Sequence, residues 1–270
     1  MMMISLPWKL NTLGSLRTWH GGHRSWQTVD LVQQRLPSLL PRQILFAHRG
    51  ARAHAPENTL EAFELGLRLG ATGLESDVWV TADGVPVLDH DGEIKSGWLR
   101  KRPIGELKRS ELPDHIPTLL ELFDRCGTEY ELSLDLKDDH AGPVVIESIR
   151  LHHPDMIGRV WLCHWEVSRL LALRPLDPDV KLVDSTRLHR LDGGPERHAA
   201  LLADGGIDAI NMRGPDWTGG LVTLFHRFDR AAFSWDLQHD HELDNALRMG
   251  LDGVYSDHVD RMSDAAARLI

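Results

Sequence analysis

The sequence predicts an α/β fold, a distorted (β/α)8 TIM barrel with one extra antiparallel hairpin strand. Three observations lead there. From residue 43 onward short β-rich runs trade places with helical patterns, beginning "QILFA", "NTLEAFELGLRLG", "TGLESDVWV" and ending "DGVYSD", "VDRMSDAAARLI", and such alternation implies parallel βαβ units. Nine strand candidates appear; one pair, in "DVWVTADGVPVLDH", is joined at "TADG" with no room for a crossover helix, so it forms an antiparallel hairpin and leaves eight parallel strands. The length of 270 residues suits a single barrel, since these commonly run to about 250. An open doubly wound sheet is the alternative. Against it, the first βα turn, "HRGARAHAPENT", is not a GxGxxG fingerprint, and no GxxxxGK[ST] loop occurs.

Residues 1–43 read as an arm and residues 44–270 as the barrel. The arm carries Lys9, Arg17, Arg24, Arg35 and Arg42 against Asp30 alone, with Trp8, Trp19 and Trp26 among them. Such a segment suits weak contact with a membrane surface, because Trp favours the lipid boundary and cations are drawn to anionic headgroups. A short helix, "TVDLVQQRL", packed on the barrel is the other reading. After the first strand, Asn58 followed by Glu61 resembles a capping box, Leu60, Phe63 and Leu67 recur at helical spacing, and Gly70 supplies a stop.

Composition excludes several classes. At 42% hydrophobic and 26% charged the chain has the balance of a soluble globular protein. A net charge of -10 gives no basic stripe for nucleic acid. Cys126 and Cys163 stand far apart without CxxC spacing, so neither a disulfide scaffold nor a zinc ribbon is indicated. No apolar run approaches the roughly 20 residues of a bilayer span, and the N-terminus lacks a secretory h-region. The expected compartment is the cytoplasm; oligomeric state is not readable.

The chemistry lies at strand ends. In "GLESDVW", Glu75 and Asp77 project to one face. Paired carboxylates repel unless a cation lies between them, and a hard ion such as Mg2+ or Ca2+ relieves the conflict. Counting outward from "TADG" places Glu75 opposite His90 and Asp77 near Leu88, which would deliver an imidazole to the same carboxylates. In "ELSLDLK", Glu131, Ser133, Asp135 and Lys137 share a face, with Asp135 and Lys137 at the end where such barrels hold their sites. An Asp–Lys ion pair is the plainer account of that pair. With His48 and Arg49 ending the first strand, the set supplies metal ligands, two imidazoles and cations for an anion, the parts that phosphoester cleavage needs.

The order "HRG", "PENT", "ESDV", "TADG.PV..HD", "IPTL", "LDLK", then a late Trp and "GLDGVYSD" resembles the glycerophosphodiester phosphodiesterase family. That resemblance implies a barrel of the phospholipase-C-like phosphodiesterase type and metal-dependent hydrolysis of small-molecule glycerophosphodiesters to an alcohol and glycerol 3-phosphate, by way of a cyclic phosphate. It implies His48 and His90 as the acid–base pair, Arg49 and Lys137 as phosphate-binding cations, and Glu75, Asp77 and Asp135 as ligands of a divalent ion, Mg2+, Ca2+ or Mn2+. Glu57 matches the motif's acid, as a further ligand, a residue behind the ligands or the group orienting the base. Trp235 is implied in the substrate pocket, and "DGEIKSGWLRKRP" is a candidate lining of its mouth. The departures are Asp135 where similar proteins have Glu, "WDLQ" and "SDHV" late in the chain, and about 25 residues between His90 and "IPTL", too few for an insertion subdomain. Two other readings remain: a lysophospholipase D, should the arm engage membranes, and a non-catalytic phosphate- or headgroup-binding barrel.

Overall fold

The computed structural model describes residues 35–96 and 100–269, so residues 1–34 of the expected arm, and Trp98 in the candidate mouth, lie outside the described residues. The compact unit that contains the barrel runs Leu36–Ile270. Its strands are β1 (Ile44–His48), β2 (Gly73–Val80), β3 (Pro86–Leu88), β4 (Glu93–Ser96), β5 (Arg100–Pro103), β6 (Glu131–Leu136), β7 (Val160–His164), β8 (Lys181–Ser185), β9 (Ala209–Arg213), β10 (Ala231–Trp235) and β11 (Gly253–Ser256). Parallel pairing runs β1–β2–β6–β7–β8–β9–β10–β11 and closes from β11 back to β1, giving the eight-stranded barrel that the alternation predicts.

The extra strand has a specific place. Along one edge β2 pairs with β6 at Gly73–Val78; along the other it pairs with β1 at Gly73–Glu75 and, farther on, with β3 at Val78–Val80. Thus β3 begins where β1 stops, extending the wall above the mouth. Its register differs from the expected one: Val78 is opposite Leu88, and the Asp89 N–H donates to the Asp77 carbonyl at 3.1 Å. Thr81 and Val85 still pair, through a 3.0 Å bond, so the turn closes on three residues, with Gly84 at φ 82°. A three-residue turn moves the pairing by one position, and His90 is not brought opposite Glu75. Beyond β3 the chain forms the β4–β5 hairpin, which the alternation did not show. Val87, Ile104, Leu107, Leu112 and Ile116 make a small core of their own there, against Trp79 and Ile94.

The first helix, Leu60–Arg68, is capped by Thr59, whose hydroxyl accepts from the Ala62 N–H at 3.2 Å, and not by Asn58 as the spacing suggested. Asn58 has a different task. At φ 56° it turns the chain, and its buried side chain accepts a hydrogen bond from Ser76 Oγ at 2.7 Å.

The core is layered. Helices bury their apolar faces on the outside of the barrel, while a second cluster fills the inside: Ile44, Phe46, Trp161, Cys163, Val183, Ala209, Ala231, Phe233 and Tyr255. Phe46 stacks on Tyr255 with ring centroids 4.5 Å apart, and Trp161 meets Phe233 edge-on at 4.9 Å. Space for these rings comes from glycine on the neighbouring strand: a Cβ at Gly73 would stand 2.5 Å from the Phe46 ring, and one at Gly253 would stand 2.7 Å from Phe233. Each aromatic pair contributes about 0.5–1.5 kcal/mol beyond its area burial. Together the rings close the barrel interior beneath its C-terminal mouth.

Candidate active site

Register assembles the mouth. His48 lies level with Glu75 across β1–β2, and Asp77 lies level with Asp135 across β2–β6. All four residues lie on the inner side: His48 is two positions from Phe46, Glu75 and Asp77 are two and four positions from Gly73, which faces the Phe46 ring, and Asp135 is two positions from Ser133, whose hydroxyl lies 3.0 Å from that of Tyr255. One carboxylate oxygen from each of Glu75, Asp77 and Asp135 falls within 4.8 Å of the others. Three acids from two strands therefore converge as the sequence indicated.

Charge in this cluster is only partly compensated. Glu75 is buried, and its Oε2 accepts from the Arg49 backbone N–H at 2.9 Å. Burial pushes its carboxyl up to about 7; His48 opposes the shift, while Asp77 and Asp135 add to it. Asp77 is 2% exposed; its Oδ1 lies 2.8 Å from Lys137 Nζ and its Oδ2 lies 3.3 Å from Arg49 Nε. That second approach lacks hydrogen-bond alignment, so Asp77 Oδ2 and Arg49 Nε are both buried and without a hydrogen-bond partner. Lys137 also reaches Asp135 Oδ2 at 3.3 Å. Burial works against its charge, but Asp135 and Asp77 outweigh burial and hold the ammonium above the ordinary lysine value.

His48 is oriented from the other end of the chain. Its Nδ1 lies 2.6 Å from Asp257 Oδ1, just after β11, and its Nε2 faces Glu75 Oε2 at 3.9 Å. Burial disfavours the imidazolium, yet Glu75 and the Asp257 hydrogen bond prevail and raise the His48 pKa. Asp257 was not among the residues singled out, although "SDHV" was marked. Neither was Arg52, whose Nε lies 2.6 Å from Glu57 Oε2 and whose Nη1 lies 3.8 Å from Asp257 Oδ2.

The other expected residues are distributed around this centre. Arg49 adopts φ 52° and places Nη1 3.2 Å from both oxygens of Glu57. Glu57, considered as a further ligand, thus faces Arg49 and Arg52 and is not one of the three converging acids. His90 follows β3 on the rim, 41% exposed, its Nδ1 2.9 Å from Asp91 Oδ1. Trp235 ends β10, half-buried, with the Arg187 guanidinium 4.6 Å from its ring centroid. In the candidate mouth lining, Lys101 and Arg102 are paired with Glu93 and Glu111.

A model of the Glycerophosphoryl diester phosphodiesterase family matches residues 48–261. The chain belongs to this family. Its match begins at His48 and takes in every residue of the cluster just described. A glycerophosphodiester phosphodiesterase of Caldanaerobacter subterraneus subsp. tengcongensis is 31% identical over 240 residues, covering 80% of this chain and 94% of that protein. The crystal structure of the Thermotoga maritima glycerophosphodiester phosphodiesterase superposes with a TM-score of 0.69 at 22% identity, covering 82% of this chain and 97% of that one. An Oleispira antarctica phosphodiesterase, in complex with the product sn-glycerol-3-phosphate, superposes with a TM-score of 0.72 at 21% identity, covering 84% and 97%. As a member of the family the chain is a phosphoric diester hydrolase. Among the described residues no helix is long and apolar enough to cross a membrane.

The three acids fit a divalent ion on this chain's own geometry. Their oxygens are close enough to share one cation, all the donors are oxygens, and Asp77 Oδ2 is buried without a hydrogen-bond partner.

Proposed function

We propose that the chain hydrolyses glycerophosphodiesters to an alcohol and glycerol 3-phosphate, and that it depends on a divalent cation, Mg2+, Ca2+ or Mn2+, held by Glu75, Asp77 and Asp135. The observation that carries this reading is the convergence of those acids beside an imidazole already fixed by a carboxylate. Such an ion, when bound, supplies Lewis-acid stabilisation of charge on the phosphoryl oxygens.

The protein's own groups do the rest. Asp257 accepts the Nδ1–H of His48, which fixes the tautomer and turns Nε2 toward the mouth as the proton-exchanging atom. His48 Nε2 takes the proton of the glycerol hydroxyl next to the phosphoester. The freed oxygen attacks phosphorus, the bond to the alcohol breaks, and His90 gives that alcohol its proton, leaving a cyclic phosphate. Water then opens the ring with the two imidazoles in exchanged roles, restoring both protonation states. Arg49 and Lys137, which now neutralise Asp77, are the cations within reach of the phosphate, and Trp235 borders the space for the rest of the substrate.

Turnover of glycerophosphocholine and of glycerophosphoglycerol, each with Mg2+, Mn2+ or Ca2+ and with chelator, tests the reading. Metal-restored release of glycerol 3-phosphate is expected. His48→Ala and His90→Ala should each lose about 10²-fold or more in kcat, the scale of a general acid or base. Absence of metal-restored turnover across the panel would overturn the metal-dependent reading, and a near-normal rate in either variant would remove that histidine from the mechanism.

A further inference from the structure

A second group of potential ligands stands outside the three-acid cluster. His54 belongs to the turn after β1, where its N–H donates to the Ala51 carbonyl at 2.8 Å. His258 precedes the last helix, Val259–Ala267, and Asp260 lies in that helix's first turn. One ligand atom from each of the three falls within 4.8 Å of the others. His54 Nε2 is 3.1 Å from Asp260 Oδ1, and the two imidazoles meet edge-on, 86° apart, with centroids separated by 6.4 Å. Perpendicular rings at that separation let one nitrogen of each point at a shared position, which coplanar stacking would not allow. A tetrahedral ion with bonds of about 2.0–2.2 Å needs donors roughly 3.4 Å apart. Small side-chain rotations close that gap, because His54 and Asp260 are exposed and His258 only half-buried.

We propose that His54, His258 and Asp260 form a binding site for a borderline transition-metal ion such as Zn2+, distinct from the oxygen-donor cluster of Glu75, Asp77 and Asp135. The donor chemistry separates the two. Imidazole nitrogens suit Zn2+, whereas three carboxylates with no nitrogen suit Mg2+, Ca2+ or Mn2+. Three protein ligands leave a fourth position for water. The site also joins two segments that serve the catalytic mouth. One is the turn bearing Arg52 and leading to Glu57; the other begins immediately after Asp257, the residue that holds His48. A single backbone bond already links them, from the Ala53 N–H to the Asp257 carbonyl at 3.2 Å. A metal ion there is a clip across the β1–β11 side of the mouth.

The test is Zn2+ binding to the full chain by equilibrium dialysis in excess Mg2+, which keeps the oxygen site occupied. Wild type should retain one more Zn2+ per chain than the His54→Ala/His258→Ala double variant, and either single variant should bind at least about tenfold more weakly. Co2+ in place of Zn2+ should give visible absorption bands that disappear in His258→Ala. Asp260→Asn, which preserves shape, should weaken binding without altering the circular dichroism spectrum, so that a folding failure of the double variant leaves the test intact. Equal Zn2+ stoichiometry and affinity in wild type and these variants would overturn the proposal. So would loss of the extra Zn2+ in Glu75→Gln with retention in His258→Ala.

Discussion

Two buried acids at opposite ends of the barrel show how differently a carboxylate can be treated. Asp252, before β11 at the N-terminal end, is fully buried and amply supplied. Its Oδ1 accepts from Ser38 Oγ at 2.7 Å and from the Leu39 and Leu40 N–H groups, and its Oδ2 faces His226 Nε2 and accepts from the Ala232 N–H, both at 2.7 Å. Burial alone would raise its pKa, but these partners, His226 foremost, hold it below the ordinary aspartate value. Glu75 at the C-terminal end has its carboxyl driven the other way, to about 7, and its neighbour Asp77 keeps an oxygen with no hydrogen-bond partner. The first acid is saturated by the protein and holds the segment before β1 against β10 and β11. At the other end Glu75 is crowded by Asp77 and Asp135 and one oxygen of Asp77 lacks a donor, and that deficit is what a bound cation can fill.

Four experiments sharpen or break this contrast. The largest effect should come from separating function and stability outright. His48→Ala is expected to cost about 10²–10⁴-fold in kcat with little change in thermal midpoint, whereas Asp252→Ala should leave the residual folded enzyme active and cost about 3–5 kcal/mol of stability, the scale for breaking a buried pair. Denaturant titration and turnover of the same two variants measure both, and a destabilised His48→Ala or a stable Asp252→Ala would abolish the distinction.

The next effect is in pH dependence. A lowered carboxylate pKa means that the stability from Asp252 is present above its unfolded value near 3.8 and is lost as pH falls through the lower folded value. Acid unfolding of Asp252→Asn should therefore show a shallower decline below that pH than wild type. Glu75 has the opposite sign: with chelator present, its carboxyl favours the fold below about 4.5 and that advantage disappears as pH rises through about 7. Glu75→Gln should flatten the wild-type decline across that interval, and saturating Mg2+ should reduce the difference. Parallel curves for Glu75→Gln and wild type would show that the crowding is already relieved.

The smallest effect concerns Asp135. Asp135→Glu adds one methylene to the side chain, and is expected to shift the metal concentration for half-maximal activity by less than about tenfold, or roughly 1.4 kcal/mol. Metal titrations of turnover measure it.

Much of this architecture was legible because strands and helices are marked by different periods, and all nine strands of the main sheet coincide with the runs read as β. The site's first half was legible for a related reason: Glu75 and Asp77 stand two apart on one strand and Asp135 lies between Leu134 and Leu136 on another, so the face each occupies follows from strand alternation. What escaped depends on things that alternation does not encode. The β2–β3 register rested on one residue of turn length, between a four-residue "TADG" and the three residues observed. Thr59 and Asn58 are both plausible caps, and only the left-handed backbone at Asn58 decides between them. Asp257 lies 209 residues beyond His48. Its signal was available all the same: barrel closure makes β11 the neighbour of β1, so an acid just past the last strand must stand beside a histidine ending the first.

The aromatic filling beneath the mouth has a consequence for traffic. With Phe46, Trp161, Phe233 and Tyr255 packed across the barrel interior, the proposed catalytic centre is backed by side chains on its inner side. On the proposed mechanism, substrate, attacking water, released alcohol and glycerol phosphate would then all use the C-terminal rim, so departures and arrivals would compete. Congestion at the rim would slow the cycle while leaving bond breaking untouched.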